Sequence, residues 1–330
     1  MRKLLKILLW AVLGLVILIV ALFGYVQTSY NKTFDAPYPE IKASIDPVMI
    51  ERGKYLAYGP SHCAICHVPS DKAMAVDNGL EMPLSGGWEE EFPGFGTFRA
   101  PNLTPDPETG IGNITDAELA RAIRYGVKHD GTFLPPFMEF QGMSNEDLTA
   151  VISFLRSQEP VKNKVEPSDL SFLAKALVTF GLLKPKGPAS TPPVSVEVDS
   201  TVAYGSYLAN SLGNCNGCHV KIDETGNKAG PDFSGGGIFP PSGFSKGYAF
   251  ISPNLTPHKP TGVISEWTEG AFIDRFRGGR LYEGSPMPWG LFSRMHETDL
   301  KALYRYLHSL EPVENKVPQT VFAPGEKLPE

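Results

Sequence analysis

Cysteine is scarce in this sequence, with four among 330 residues, and none of the four stands alone. All of them fall in two copies of one short motif, which excludes a scaffold stapled by disulfides. A basic excess is missing too. Arg2, Lys3 and Lys6 are the only charges in the first 30 residues, which leaves 27 basic against 36 acidic side chains downstream. Such a surface does not attract nucleic acid. Alternation of apolar and polar residues never runs long enough to require a strand, so the expected fold class is all-α. What the chain has in quantity is glycine, 33, and proline, 30, with 42% hydrophobic and 20% charged residues. That composition is globular, neither disordered nor fibrous, and it implies long loops that something other than a large core must anchor.

Between Leu4 and Val26 the only charge is Lys6, and about 20 apolar residues at roughly 1.5 Å rise cover the ~30 Å hydrocarbon layer of a bilayer. A cleaved signal peptide has a shorter apolar region and a small-residue cleavage site, and Ala21, Leu22, Phe23, Gly24 and Tyr25 offer no such pattern. Residues 1–30 are therefore expected to be a retained, single-pass transmembrane anchor. Arg2, Lys3 and Lys6 keep its start on the cytoplasmic side, so the remainder lies across the membrane. In a bacterium this means the inner membrane, with the folded part in the periplasm.

The two cysteine motifs are Cys63-Ala64-Ile65-Cys66-His67 and Cys215-Asn216-Gly217-Cys218-His219. C-x-x-C-H is the attachment signature of c-type haem: two thiols add across the porphyrin vinyl groups and the adjacent histidine reaches the iron. The expected cofactors are two covalently bound haem c groups, held by Cys63, Cys66, Cys215 and Cys218, with His67 and His219 as iron ligands. A zinc site or a thioredoxin-like pair competes with this reading. Zinc would gather the four thiols, yet the pairs sit 152 residues apart in separate repeats, and a thioredoxin motif needs a βαβ context that is lacking.

The offset of 152 superposes more than the motif. It brings Gly53-Lys54-Tyr55-Leu56-Ala57 onto Gly205-Ser206-Tyr207-Leu208-Ala209, Pro101-Asn102-Leu103-Thr104-Pro105 onto 253–257, and Glu159-Pro160-Val161 through Val165 onto 311–317. Two homologous domains follow, 45–165 and 198–318, separated by a linker over 166–197. In each, a middle helix (from Thr115 to near Gly126; Thr268 to Gly279) and a last helix (after Ser144; from Glu297) carry acidic first turns and apolar faces.

The second iron ligand is expected to be a methionine from the loop before the last helix. Met287, between Pro286 and Pro288, is the candidate in the second domain. Met295 is its alternative, better read as the residue stapling onto the final helix. In the first domain the choice lies between Met138 and Met143; the alignment pairs Met143 with Met295, which leaves Met138 as the ligand. Met74 and Met82 are more remote. Pro101 and Pro253 offer a carbonyl to the haem histidines. His62, His129, His258, His296 and His308 are expected at a solvated surface, as are Arg275, Arg277 and Arg280.

The paired C-x-x-C-H motifs, the Pro-Asn-Leu-Thr-Pro loop with Thr109-Gly110-Ile111-Gly112, and the Met-Ser-Asn-Glu-Asp-Leu helix resemble the cytochrome c subunits of periplasmic alcohol and gluconate dehydrogenases and related membrane-anchored dihaem cytochromes. The resemblance covers about 45 to 318; those relatives commonly carry three haem motifs and this chain has two. It implies a class I cytochrome c fold in each domain and electron transfer between a periplasmic donor, a dehydrogenase or a quinol-oxidising complex, and the respiratory chain. The chain is then a relay and no enzyme. The alternatives are a dihaem peroxidase-like enzyme, which needs one iron with an open position, and a structural subunit of an oxidase or dehydrogenase assembly. An apolar stretch from Leu170 to Leu183 is expected to pack across both domains as a linker helix, or to lie on the membrane surface or a partner subunit.

Overall fold

The structure, a computed structural model, describes residues 2–223 and 228–329; residues 224–227 of the expected second domain lie outside the described residues. Helix α1, Arg2–Ser29, is long and apolar enough to cross a membrane, and Val26 is its one buried residue. Helix α2, Pro47–Tyr58, starts where the Asp46 carboxylate accepts the Val48 N–H and Pro47 occupies the first turn, where its missing N–H costs nothing. A short turn over Cys63–Ile65 and helix α3, Ala73–Asp77, follow. Strands β1, Glu89–Phe92, and β2, Gly96–Arg99, form a hairpin. Helix α4, Asp116–Tyr125, has a reciprocal Thr115 and Glu118 capping box and ends at Gly126; α5, Asn145–Ser157, is capped by Ser144. Strand β3, Asp169–Leu170, adds to β2, and α6, Phe172–Thr179, closes this part of the chain.

The second repeat follows the same order with local changes. Helix α7, Val202–Tyr207, widens into a π turn over Leu208–Leu212, and α8, Cys215–Cys218, carries the second pair of thiols. Strands β4, Ile238–Phe239, and β5, Ala249–Ile251, precede α9, Glu269–Arg277, α10, Trp289–Phe292, and α11, Glu297–Ser309; β6, Val321–Phe322, joins β5. The two antiparallel sheets correct the all-α expectation to a mostly helical chain with small sheets. Their strands span only two to four residues, too few for alternation to register in the sequence. The first hairpin is held by the rings of Phe92, Phe98 and Phe137, whose centroids lie 4.8 to 5.4 Å apart. Helix α6 also departs from expectation. It packs on α1 and β3, rather than across both repeats.

The core is built where α2 crosses α5 and α7 crosses α11. These crossings need glycine: a Cβ on Gly53 would lie 1.8 Å from the Ala150 carbonyl oxygen, and one on Gly205 2.0 Å from that of Ala302. Leu56, Leu148 and Ile152 are buried at the first crossing and Leu208, Leu300 and Leu303 at the second, and a single apolar core runs through both repeats. The repeated glycine of the Gly-x-Tyr-Leu-Ala segment is thus a close-packing position, and its tyrosine does something else.

Tyr55 and Tyr207 exchange bonds between the repeats. The Tyr55 hydroxyl donates to the Asp299 carboxylate and accepts the His296 N–H at 2.9 Å. The Tyr207 hydroxyl donates to Asp147 at 2.7 Å and accepts the Ser144 N–H at 2.9 Å. Every residue in one set is 152 positions from its counterpart in the other, so the contact is isologous, as across the two-fold axis of a dimer. Asp147 and Asp299 each stand third in their helix, where a capping-box carboxylate would return to the N-cap amide. Here a hydroxyl from the other repeat is inserted between the two groups. Burial, then the neighbouring aspartate, raises the pKa of both tyrosines, which stay protonated donors.

Other contacts break the symmetry. Arg52 pairs with Asp147 at 2.8 Å, whereas Tyr204 holds the equivalent place. Asp77 is fully buried and pairs at 2.9 Å with Arg280, 6% exposed, while also accepting the N–H groups of Gly290 and Leu291 at the start of α10. The expected solvated basic face is therefore reduced to Arg277, which stays exposed. Arg280 is spent inside the protein, Arg277 donates to the Ser293 carbonyl, and the Arg275 guanidinium lies 3.5 Å above the Trp289 ring.

Candidate functional site

Each C-x-x-C-H motif opens on a residue in the left-handed region, His62 (φ 39°) or Asn214 (φ 46°), which turns the chain sharply into one short helical turn. Within it the His67 N–H donates to the Cys63 carbonyl at 3.1 Å, and the His219 N–H to that of Cys215 at 2.9 Å. Positions i, i+3 and i+4 of one turn share a face, so the two thiols and the imidazole of each repeat project from the same side of its turn. The His67 Nδ1 lies 3.0 Å from the Pro101 carbonyl oxygen and the His219 Nδ1 3.1 Å from that of Pro253. A carbonyl can only accept, so Nδ1 carries the proton and Nε2 keeps its lone pair for a metal. Burial lowers both imidazoles below their ordinary value, which keeps them neutral.

Burial also pushes Cys63, Cys66 and Cys215 up to about 12 and Cys218 to about 11. All four are free thiols. Among the described residues no three His, Cys, Asp or Glu side chains gather as a metal site would require, so the thiols do not converge on one tetrathiolate centre. The sheets are antiparallel, which removes the βαβ setting of a thioredoxin-like pair. Two neutral thiols beside one imidazole with a free Nε2 are the donor set that covalent haem attachment uses, and the residues present fit that group.

The carbonyls that orient the histidines are themselves locked. Gly86 donates to the His67 carbonyl at 2.9 Å and Gly235 to that of His219 at 3.0 Å. Both adopt positive φ, and a Cβ on either would lie 2.5 Å from the carbonyl carbon of Pro101 or Pro253. Asn102 donates to the Val161 carbonyl at 2.8 Å and accepts from the Thr104 N–H and hydroxyl; Asn254 repeats this with Val313 and Thr256. Asn163 and Asn315 reach back to the carbonyls of Ser85 and Ser234 at 2.9 and 2.8 Å. The Pro-Asn-Leu-Thr-Pro and Glu-Pro-Val segments are therefore two sides of one bracket behind the imidazole. Its third side, Ser85-Gly86-Gly87 and Ser234-Gly235-Gly236, recurs at an offset of 149, so a fixed alignment at 152 misses it.

The methionines separate by packing. Met143 and Met295 are 2% and 3% exposed, in the core, each just before the N-cap of a last helix and donating through its N–H to the carbonyl of Phe140 or Phe292. With Leu148 and Leu300 buried at the fourth helical positions, these are hydrophobic-staple sites. Met138 and Met287 are half-buried against the core, in the loops between α4 and α5 and between α9 and α10. Met74 lies on α3, and the Met82 carbonyl accepts the Tyr58 hydroxyl.

His62 is not a surface histidine of polar surroundings. Its ring meets Phe140 at 5.9 Å and Phe292 at 5.5 Å, edge to face, one from each repeat. Asn214, its counterpart, donates to Glu139 beside Met138 at 3.4 Å. The turn leading into each cysteine motif thus touches a residue near the candidate methionine of the other repeat, Phe292 at the end of α10 after Met287 and Glu139 next to Met138, and the two candidate sites adjoin. The only signal for this in the sequence is the pair of residues, His62 and Asn214, that precede the motifs.

No protein-family model matches the chain. It is 30% identical over 287 residues to the cytochrome c subunit of a quinone alcohol dehydrogenase from Gluconobacter oxydans, covering 81% of this chain and 56% of that protein. It is 28% identical to a dihaem c-type cytochrome of Cereibacter sphaeroides, covering 76% and 83%, and to the gluconate 2-dehydrogenase cytochrome c subunit of Pantoea cypripedii, covering 85% and 63%. The chain spans just over half the length of the alcohol dehydrogenase subunits it matches. These relatives are named as cytochromes c.

Proposed function

We propose that the chain is a membrane-anchored dihaem cytochrome c that relays electrons from a periplasmic donor, a dehydrogenase or a quinol-oxidising complex, to the respiratory chain of a bacterial inner membrane. The observation that carries this is the doubled geometry of His67 and His219, each fixed through Nδ1 on a proline carbonyl beside two free thiols. Residues 45–165 and 198–318 are then class I cytochrome c domains, each holding one haem through Cys63 and Cys66 or Cys215 and Cys218. When bound, the haem supplies one-electron exchange at iron.

The protein's part is to hold that group and set its environment. The Pro101 and Pro253 carbonyls fix the tautomer and increase the basicity of the imidazoles, and the locked loops limit their rotation. Met138 and Met287, free of the staple role that holds Met143 and Met295, would be the methionines that hold the iron with His67 and His219. With a methionine and a histidine both available to each iron, peroxide would find no position there, which favours a relay over a peroxidase-like enzyme; adjoining sites would serve transfer between haems, which a purely structural subunit does not need. The homologues named as dehydrogenase subunits support a dehydrogenase as partner.

Mass spectrometry of the holoprotein should find two covalent haems, and one after Cys215 and Cys218 are replaced by serine. Met287→Ala and Met138→Ala should each lower one haem's potential and open it to carbon monoxide. One haem in the unmodified protein ends the dihaem reading, and rapid peroxide turnover ends the relay. If Met143→Ala opens the iron in place of Met138→Ala, the ligand in the first domain is reassigned.

A further inference from the structure

We propose that α6 and the residues just after it rest on the lipid surface at the outer end of α1, seating the first repeat against the bilayer; this depends on α1 being a membrane span. Four large apolar side chains of this segment, Phe172, Leu173, Phe180 and Leu182, are 41 to 74% exposed. The segment is not a loose linker. On one side β3 pairs with β2, Gly96 opposite Leu170, and the Ser171 N–H donates to the Phe95 carbonyl at 2.9 Å. On the other, Phe172 stacks on Phe23 of α1 with centroids 5.1 Å apart, Phe180 lies 6.3 Å from Tyr25, and the Lys32 ammonium donates to the Thr179 carbonyl at 3.1 Å.

The level of this contact identifies what covers the exposed face. Counted from Leu4, about 20 residues at roughly 1.5 Å each traverse a ~30 Å hydrocarbon layer, and the count ends at Phe23 to Tyr25, the residues that α6 touches. An apolar face held at that height meets the boundary between acyl chains and headgroups. Its charges agree. From residue 170 to 186 there is no Asp or Glu, only Lys175, Lys184 and Lys186, with Lys32 beside them and Lys175 over the Tyr30 ring. Aromatic and leucine side chains flanked by lysines are the composition of an interfacial helix on phosphate headgroups. The chain leaving α1 is also docked on the first repeat, with the Phe34 N–H on the Gly131 carbonyl at 2.8 Å, the Tyr38 hydroxyl accepting from Arg121, and the Ala43 N–H on Asp116 at 2.8 Å. A docked exit cannot pivot freely, so the seat fixes the orientation of the first haem site to the membrane.

The test uses the full chain, haem-loaded, in phosphatidylethanolamine and phosphatidylglycerol vesicles doped with a lipid whose photoreactive group sits near the headgroup. Peptide mapping after illumination should find adducts on residues 172–183 as well as on α1, and Phe172→Ser with Phe180→Ser should cut the former about tenfold while leaving the latter unchanged. Adducts confined to α1, with 172–183 labelled no more than the distant α11, overturn the seat and leave the anchor standing. Undiminished labelling in the double variant also overturns it. Adducts on neither segment defeat the span and the seat together.

Discussion

Removing one hydroxyl at a time from the contact between the repeats should expose a hidden inequality. In Tyr55→Phe, the fully buried Asp299 loses the hydroxyl that donates to its carboxylate, with only the Tyr204 hydroxyl left nearby and, among the described residues, no cation paired with it, and the His296 N–H is left without its acceptor. Stranding a buried carboxylate costs about 3 kcal/mol or more. Tyr207→Phe removes the equivalent hydroxyl, yet Asp147 keeps Arg52 at 2.8 Å. The Ser144 N–H loses its acceptor as the His296 N–H does, but the carboxylate itself loses a single charge-assisted bond, about 1.5 kcal/mol. At roughly 2–4 °C per kcal/mol for a cooperative unit of this size, Tyr55→Phe should lower the melting midpoint by about 6–12 °C and Tyr207→Phe by about 3–6 °C. Thermal unfolding of the holoprotein, followed in the Soret band and by far-ultraviolet circular dichroism, measures both. Adding Asp299→Asn to Tyr55→Phe should recover part of the loss, because a neutral amide is less costly to bury unpaired than a charge. Equal losses, or a larger one for Tyr207→Phe, would refute the assignment of Arg52 as the compensating partner.

Gly86→Ala should destabilise the first repeat by about 2 kcal/mol or more, since the new Cβ meets the Pro101 carbonyl at a positive φ. By loosening the bond to the His67 Nδ1 it should also raise that haem's potential, read by spectroelectrochemistry; an unchanged potential would show that the carbonyl does not tune the imidazole. Asp106 accepts from the Thr109 N–H and hydroxyl and from the Glu108 N–H, which hold its carboxyl below the usual 3.8. With the folded value depressed, its stabilising effect is complete above the unfolded value and disappears as pH falls through the folded one. Acid unfolding should therefore weaken the first repeat below about pH 4, and Asp106→Asn should flatten that limb, as followed by urea titrations at several pH values; a limb unaltered by the substitution would count against the idea.

What the sequence made legible was local. Caps, apolar helix faces and the C-x-x-C-H turn are set by residues within four positions of one another, so Thr115 with Glu118, or Cys63 with His67, could be read directly. The repeated Pro-Asn-Leu-Thr-Pro and Glu-Pro-Val segments were visible as repeats, but their joint purpose required the fold, because Asn102 finds Val161 only after α4 and α5 have turned the chain back. The Ser-Gly-Gly side of the bracket was missed because three residues fewer separate it from the cysteine motif in the second repeat. The strands were missed because two to four residues carry no period. Arg280 looked like surface because nothing near it in sequence hints at Asp77, some 200 residues earlier.

The exchange of tyrosines between helix starts has a consequence for descent. An isologous contact is one that two identical chains can make, so the interface between the repeats is a surface that a single-repeat ancestor could have used to pair with its own copy. In such a pair every substitution is made twice, and an arginine at the place of Arg52 would face its own image. Once the copies share one polypeptide, each side changes alone. Arg52 opposite Tyr204, and Asp77 reaching Arg280 without a mirrored partner, are changes of that kind. Duplication with fusion thus frees two equal repeats to become unequal while the tyrosines continue to hold them at a fixed separation.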